Sequence, residues 1–403
     1  MWRNNKKLLA FGLLAAFALV AAACTSDGGV SDDAQAEIDA LMAQLDAARE
    51  DGSDAVADLE AALAAAQAGA GEVVDAGPAG ECCEVYRIGI FEDPLTTNYW
   101  SYAGPSDNSV WTAYIVNDMA ATLYDFSDQR LDFVPELATD LPPAPVQEGD
   151  LWTITVEMKP DAVWSDGEPI TAHDVAFTVG TSHALELGGN WPVNYPRDLI
   201  DHVEAIDDTT VKFFFTDSPG LAKWQFGAAM GPILPEHFWG DVVAESMAVI
   251  EGIEKPEGVE CGAEDLAEAD QAACDTYSEA FQNARAILMD ADATGTPVGG
   301  GYTTDKFEPG AFVERTINPD VHYAGSRVTQ YEDGTYVLTT ADGEVQQLYG
   351  DATGSITLDF EQGPYAPQVV FSIYGSQDAA FLALSDGEID YVLNPLSLAR
   401  GLR

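Results

Sequence analysis

Carboxylates are the commonest groups in this chain that could do chemistry. Among 403 residues, 68 are Asp or Glu, against 17 Lys or Arg and 5 His. Two carboxylates hydrolyse a glycosidic bond when they are held at a defined separation, and no motif here fixes any two of them. Asp290-Ala291-Asp292-Ala293-Thr294-Gly295 imitates the first half of a calcium loop, but position 12 is Gly301, where a bidentate Glu is needed. Gly299-Gly300-Gly301 lacks the Lys-Ser/Thr of a phosphate loop. No His stands at ligand spacing from a Cys, and H-E-x-x-H is absent, so a zinc site is not indicated. The net charge of −51 argues against nucleic acid and anionic headgroups as partners, since both need clustered Lys and Arg. An acidic face of this strength fits a salty external medium, where screening blunts self-repulsion.

The five cysteines divide by position. Met1-Trp2-Arg3-Asn4-Asn5-Lys6-Lys7 is basic, Leu8 to Ala23 is apolar, and Ala21-Ala22-Ala23-Cys24 follows. A basic start, a short apolar run and small residues form a secretory signal. The run is short and Ala-rich for a spanning helix. The final four residues resemble a bacterial lipoprotein signal, in which Cys24 becomes the lipidated first residue. The expected location is extracytoplasmic, anchored by lipid to the cell membrane, in a periplasmic space or on the outer face. Cys82, Cys83, Cys261 and Cys274 then sit in an oxidising compartment, where pairing is expected. Either Cys261 pairs with Cys274 across a short acidic segment, or each pairs with one of Cys82 and Cys83. A bridge between the adjacent Cys82 and Cys83 would strain the backbone.

The elements that must position these groups fall into a stalk and a body. In the stalk, residues 24–84, Ile38, Leu41, Met42 and Leu45 recur at helical spacing, as do Val56, Leu59 and Leu63 beyond Gly52-Ser53. Gly69 to Gly80 is Gly/Ala-rich. This reads as a spacer off the membrane, or alternatively as a coiled coil that oligomerises. The body starts near Val85. Val85 to Phe91 predicts a strand, Glu92 to Trp100 a loop, and Val110 to Tyr124 a helix with Trp111, Ile115, Met119 and Leu123 on one face. Leu151 to Met158 alternates as a strand. Thr171 and Asp174 form a capping-box pair at a helix start. His202 to Phe215 reads as two strands about Asp207-Asp208. Asp333-Gly334 and Asp342-Gly343 mark tight hairpins. Val369 to Tyr374 is a buried strand, Asp378 to Leu384 a helix and Ile389 to Leu393 a strand. The mixture predicts an α/β or α+β body, and apolar residues at 47% with aromatics at 10% support a sizeable core.

The segment from Leu151 to Val175, with Trp164-Ser165-Asp166-Gly167-Glu168-Pro169 and Thr171-Ala172-His173-Asp174 at its centre, resembles the signature of extracellular solute-binding proteins of family 5. These are the dipeptide, oligopeptide and nickel binding proteins of ABC importers. Five further segments fall in that family's order: Pro135-Glu136-Leu137-Ala138, Ile233 to His237, Pro297 to Tyr302, Asn318 to Tyr323 and Ala383 to Asp390. The Thr and second Pro usual in the Pro297 segment are absent. The resemblance covers residues 85–403 and implies a periplasmic-binding-protein-like α/β fold of type II. Such a protein is not an enzyme, carries no cofactor or metal, and traps a peptide or similar small solute by hinge closure for an ABC permease. Nickel chelates, haem and oligosaccharides stay open as solutes.

Glu251 to Ala284 and the hairpins between Val328 and Gly363 look like insertions into the family pattern. Family members continue well beyond the strand that Gly387-Glu388-Ile389-Asp390 leads into, so the resemblance implies that 85–403 is the first lobe with its extra subdomain, the second lobe being largely absent. On that lobe the loop after the first strand should line the cleft, which nominates Asn98, Tyr99, Trp100 and Trp111, with Tyr391 and Asn394 near the crossover. Aromatics with a polar handle suit an amphipathic solute; the competing role for Trp100 and Trp111 is core packing. Trp164 and Asp166 read as structural, Asp166-Gly167 forming a turn over Trp164. An alternative from a different class is a cell-envelope interaction protein that keeps the fold and has lost the cleft. A third is an acid–base hydrolase on the same scaffold.

Overall fold

The computed structural model describes residues 84–127, 132–263 and 265–393. The signal, Cys24, the stalk, Cys82, Cys83 and Asn394 lie outside them. No helix among the described residues is long and apolar enough to cross a membrane.

The chain begins with β1 (Val85–Ile90), α1 (Tyr99–Tyr102), α2 (Val110–Val116), β2 (Tyr124–Phe126), β3 (Phe133–Pro135), β4 (Val146–Glu148) and β5 (Leu151–Glu157). It continues through α3 (Ala172–Ala184), α4 (Trp191–Asn194), β6 (Ile200–Ala205), β7 (Thr210–Phe215), α5 (Glu236–Ile250) and α6 (Glu268–Met289). It ends with β8 (Tyr302–Glu308), β9 (Phe312–Ile317), β10 (Arg327–Tyr331), β11 (Tyr336–Thr339), β12 (Val345–Leu348), β13 (Ile356–Glu361), β14 (Gln368–Ile373), α7 (Gln377–Ser385) and β15 (Tyr391–Val392).

The antiparallel sheet β4-β5-β7-β6 carries the larger core. In β7, Val211, Phe213 and Phe215 alternate inward and are fully buried. Each such phenylalanine contributes about 1.5–3 kcal/mol relative to exposure. Helix α3 meets this core through Ala172, Val175 and Val179. Helices α5 and α6 pack together, and α6 buries Phe281, Ala284 and Leu288 while most of its other residues face water. The start of α6 is tied to the preceding loop by the Cys261–Cys274 disulfide, with Cα atoms 5.5 Å apart.

The second sheet, β15-β1-β14-β9-β8, is mixed. Strand β1 runs parallel to β14 and to β15, and α7 crosses between those two. The third sheet, β12-β11-β10-β13, is antiparallel. Its two Asp-Gly turns need the left-handed backbone that only glycine adopts freely, and Gly334 and Gly343 have φ of 85° and 92°.

The helix expected over Val110 to Tyr124 stops at Val116. Met119 donates its N–H to the Val116 carbonyl in a turn, Ala121 bridges to Ile233, and Tyr124 enters β2. All four residues of the expected face are buried, but Trp111, Ile115 and Met119 belong to the core of the mixed sheet and Leu123 to the larger core. Their spacing reports burial, and long-range pairing overrides local helical preference. The strand expected over Ile389 to Leu393 is shorter, pairing with β1 only at Tyr391 and Val392.

Candidate functional site

Three parallel strands end on one edge of the mixed sheet. In β1, β14 and β15 the chain runs the same way, so Phe91, Tyr374 and Leu393 leave the sheet together. Carboxyl ends of parallel strands, where the connections diverge, form a ready crevice for ligands. Tyr374 donates its N–H to the Ile90 carbonyl at 2.7 Å, and Leu393 donates to Gly89 at 3.0 Å. The loop after β1 is held in place by Leu95 N–H donating to Thr112 Oγ1 and Gly310 N–H donating to Asp93. The Phe91 ring meets Trp111 edge-on, with centroids 4.7 Å apart.

The structure separates the nominated residues. Asn98 is buried at the N-terminus of α1, where its Oδ1 accepts from Trp100 and Ser101 N–H. Its Nδ2 donates to the carbonyls of Leu288, Met289 and Ala291, tying α1 to the end of α6. Trp100 is fully buried and stacks on Trp191 with centroids 4.9 Å apart. Trp111 is buried under the mixed sheet. Tyr391 is 47% exposed on β15.

Tyr99 lines a cavity of about 280 Å³ with Tyr102, Asn117, Asn190 and Asn194. Burial pushes the Tyr99 phenol well up, with Tyr102 adding to the effect, and burial raises Tyr102 as well. Both hydroxyls therefore stay neutral. Among the described residues no charged side chain lines this cavity, although the chain carries −51. Hydroxyls and carboxamides offer both donors and acceptors, which suits an uncharged polar group such as an amide. Tyr102 was legible as the partner of Tyr99 three residues on along a helix face. The asparagines were not, because only folding brings residues 117 and 190–194 beside α1.

Five of the six motif segments meet one another through hydrogen bonds or ion pairs, and the sixth, Ala383 to Asp390, meets β1. Asp166 accepts from His237 Nε2 at 2.8 Å, and the buried Asp174 accepts Glu236 N–H at 2.9 Å. Thr178 Oγ1 takes Leu234 N–H. Ser165 N–H donates to the Val298 carbonyl, and Val298 N–H returns to Ser165 Oγ. Asn318 donates from Nδ2 to Gly300 and from its N–H to Gly301. Gly300 lies against the Asp118 carbonyl so closely that a Cβ there would sit 1.9 Å from it. Glu136 meets His322, and Asp390 pairs with Arg87. Trp164 is fully buried beneath its turn, whose Gly167 N–H returns to the Trp164 carbonyl.

Residues 132–400 match the bacterial extracellular solute-binding proteins, family 5 Middle. The chain belongs to that family. Its body has the α/β fold expected of a family 5 protein. Over 84 residues it is 36% identical to the peptidoglycan-binding protein YepA of Agrobacterium fabrum, a match covering 21% of this chain and 13% of that protein. Among solved structures it is similar to the oligopeptide-binding protein of Thermus thermophilus complexed with a pentapeptide, at 18% identity and a TM-score of 0.48, covering 76% of this chain and 44% of that one. It is also similar to the oligopeptide-binding protein AppA of Bacillus subtilis in complex with a nonapeptide, at 17% identity and a TM-score of 0.48, covering 77% and 44%. The family 5 chain thus spans less than half the length of these solved relatives.

Proposed function

We propose that this family 5 protein is the lipid-anchored solute receptor of an ABC importer. It captures a peptide or similar small solute outside the membrane and delivers it to the permease. The family match over residues 132–400 carries the reading. The shared carboxyl edge of β1, β14 and β15 supports it, because a ligand seated there would touch several independent chain segments and stabilise whichever arrangement closes on it. The neutral cavity beside Tyr99 supports recognition through main-chain amides rather than through charge. The protein binds and releases its solute unchanged, so no residue is assigned a catalytic role.

The test is a melting-temperature screen of the mature protein purified from membranes, against di- to pentapeptides, a muropeptide and nickel-histidine. The name of the Agrobacterium relative motivates the muropeptide. A saturable upward shift with one solute class is expected, since a ligand at 100 times its Kd adds about 2.7 kcal/mol. No shift with any solute, combined with co-purification of another envelope protein, would replace the receptor reading with that of an envelope interaction protein.

A further inference from the structure

The cavity beside Tyr99 concentrates neutral hydrogen-bonding groups in a small space. Tyr99, Tyr102, Asn117, Asn190 and Asn194 line about 280 Å³, with Val193 and Pro232 among the apolar part of the wall. Within the described residues, none of these five side chains donates or accepts a hydrogen bond. Asn190 stands directly before α4, yet its side chain caps nothing. Tyr99, Tyr102 and Asn194 are half-buried, and none of their side-chain polar atoms is sealed off without a partner. The groups therefore face open space, whereas polar groups inside proteins are as a rule paired.

The walls are fixed by contacts that leave those groups unengaged. Asn190 donates its N–H to the Ala103 carbonyl at 2.7 Å, which ties the turn before α4 to the end of α1. Gly189 permits that approach: its φ is 70°, and a Cβ there would sit 2.3 Å from the Gly104 carbonyl carbon. Trp191 stacks on Trp100 and donates from Nε1 to the Trp100 carbonyl at 3.4 Å. The Tyr195 hydroxyl donates to the Pro232 carbonyl at 3.0 Å. A site whose walls are held before the ligand arrives loses little ordering entropy on binding.

We propose that this cavity holds one uncharged sugar ring, free or as a unit of a larger solute. The inference rests on the receptor reading above and narrows its solute. The number of polar groups decides between a sugar and a peptide. An extended peptide presents one N–H and one C=O per residue, at a rise of about 3.3 Å, so a cavity of this size meets few of them. A sugar ring carries a hydroxyl on most of its carbons, and each hydroxyl both donates and accepts. A carboxamide sets a donor beside an acceptor, which matches two neighbouring hydroxyls. Three carboxamides and two phenols are present for such a ring, and among the described residues no charged side chain lines the cavity. The Tyr99 and Tyr102 rings stand nearly perpendicular, at 82° with centroids 5.5 Å apart. The C–H face of a sugar can rest on one of them, because an aromatic face is negative and C–H hydrogens beside oxygen are positive.

Isothermal titration of the mature protein purified from membranes tests this. Glucose, galactose, mannose and N-acetylglucosamine present the ring alone, and maltose and chitobiose present it within a chain. Saturable binding of at least one of them is expected. Binding by a monosaccharide assigns the free sugar, and binding by a disaccharide alone assigns a unit of a larger solute. Asn190→Ala and Tyr102→Phe remove groups that bond nothing in the protein, so each should keep the wild-type melting temperature and weaken the sugar about fivefold or more. Asn283→Ala, on the exposed side of α6, should leave the affinity unchanged. The proposal is overturned if none of the sugars binds at millimolar concentration, or if Asn190→Ala and Tyr102→Phe both leave the affinity intact. It is also overturned if glucosamine in its ammonium form, which the −51 charge attracts, outbinds every neutral sugar. A protein stabilised by peptides that takes no sugar loses this inference and keeps the receptor reading. A protein that binds a sugar through Asn190 and Tyr102 but associates with no permease keeps the inference and loses that reading.

Discussion

Asn98 shows at the scale of one residue how a side chain that looks suited to a ligand is used by the fold. Its amide has two donors and an acceptor, and all are engaged with backbone groups at the start of α1 and the end of α6. Replacing it with Ala removes an N-cap and leaves buried carbonyls unpaired. Asn98→Ala should destabilise the body by about 2–4 kcal/mol, read as a lower urea midpoint at unchanged slope. An unchanged midpoint would mean that Asn98 is free to serve a ligand. Asp333 is a second case. It accepts from the N–H and hydroxyl of both Thr335 and Thr353. The Thr335 hydroxyl, with the Thr353 and Thr335 amides, holds its carboxyl well below the usual carboxylate range. A depressed folded pKa contributes stability that is complete above the unfolded value, about 3.9 for Asp, declines below it, and is fully lost only once pH has fallen through the depressed folded value. The β10–β11 turn should therefore weaken progressively as pH falls below about 4. Faster amide exchange at Thr335 and Thr353 would report the opening, and Asp333→Asn should remove its pH dependence.

At the scale of elements, the motif from Trp164 to Asp174 organises two helices at once. Asp174 Oδ2 accepts from the Thr171 N–H and hydroxyl at the start of α3, and its Oδ1 accepts the first N–H of α5. Pro235 stands just before α5 and has no capping side chain, so Asp174 does for α5 what the local sequence does not. Asp174→Ala strands donors at both helix starts in a buried place. A loss of about 2–4 kcal/mol is expected. Hydrogen exchange should rise in the first turns of both α3 and α5. Protection lost in α3 alone would show that Asp174 does not hold the start of α5. The Thr171–Asp174 pair was legible because a capping box is a local pattern. The α5 contact spans 62 residues, and no local pattern encodes it.

At the scale of the molecule, charge opposes compactness. With 68 acidic and 17 basic residues, like charges crowd the surface. Several of the ion pairs among the described residues are exposed, such as Lys306–Glu308. Exposed pairs contribute at most about 1 kcal/mol each. Salt shortens the screening length from about 10 Å at 0.1 M to about 3 Å at 1 M, so repulsion should fall and the melting temperature rise with sodium chloride. The rise should be similar for potassium chloride if screening is the cause. A melting temperature flat in both salts would mean that the acidic surface costs the fold nothing.

The family and most of the strands and hairpin turns can be read from the residues alone, because these rest on local alternation, on glycine's access to positive φ and on an ordered string of motifs. A body rich in aromatics can be read the same way. Tertiary structure alone decided which aromatics are core. Asn98, Tyr99, Trp100 and Trp111 look alike along the chain, and only tertiary packing separates them: α1 against α6 and α4 buries Asn98 and Trp100, the mixed sheet buries Trp111, and Tyr99 is left beside a cavity. It also ended α2 at Val116, because the apolar period carries two separate cores in turn. The contact between Glu136 and His322 was likewise invisible. Glu136 and His322 stand 186 residues apart, and they meet only when the third sheet docks on the β2–β3 hairpin. Local pattern reports what a residue prefers, whereas burial and partner choice depend on contacts far apart in sequence.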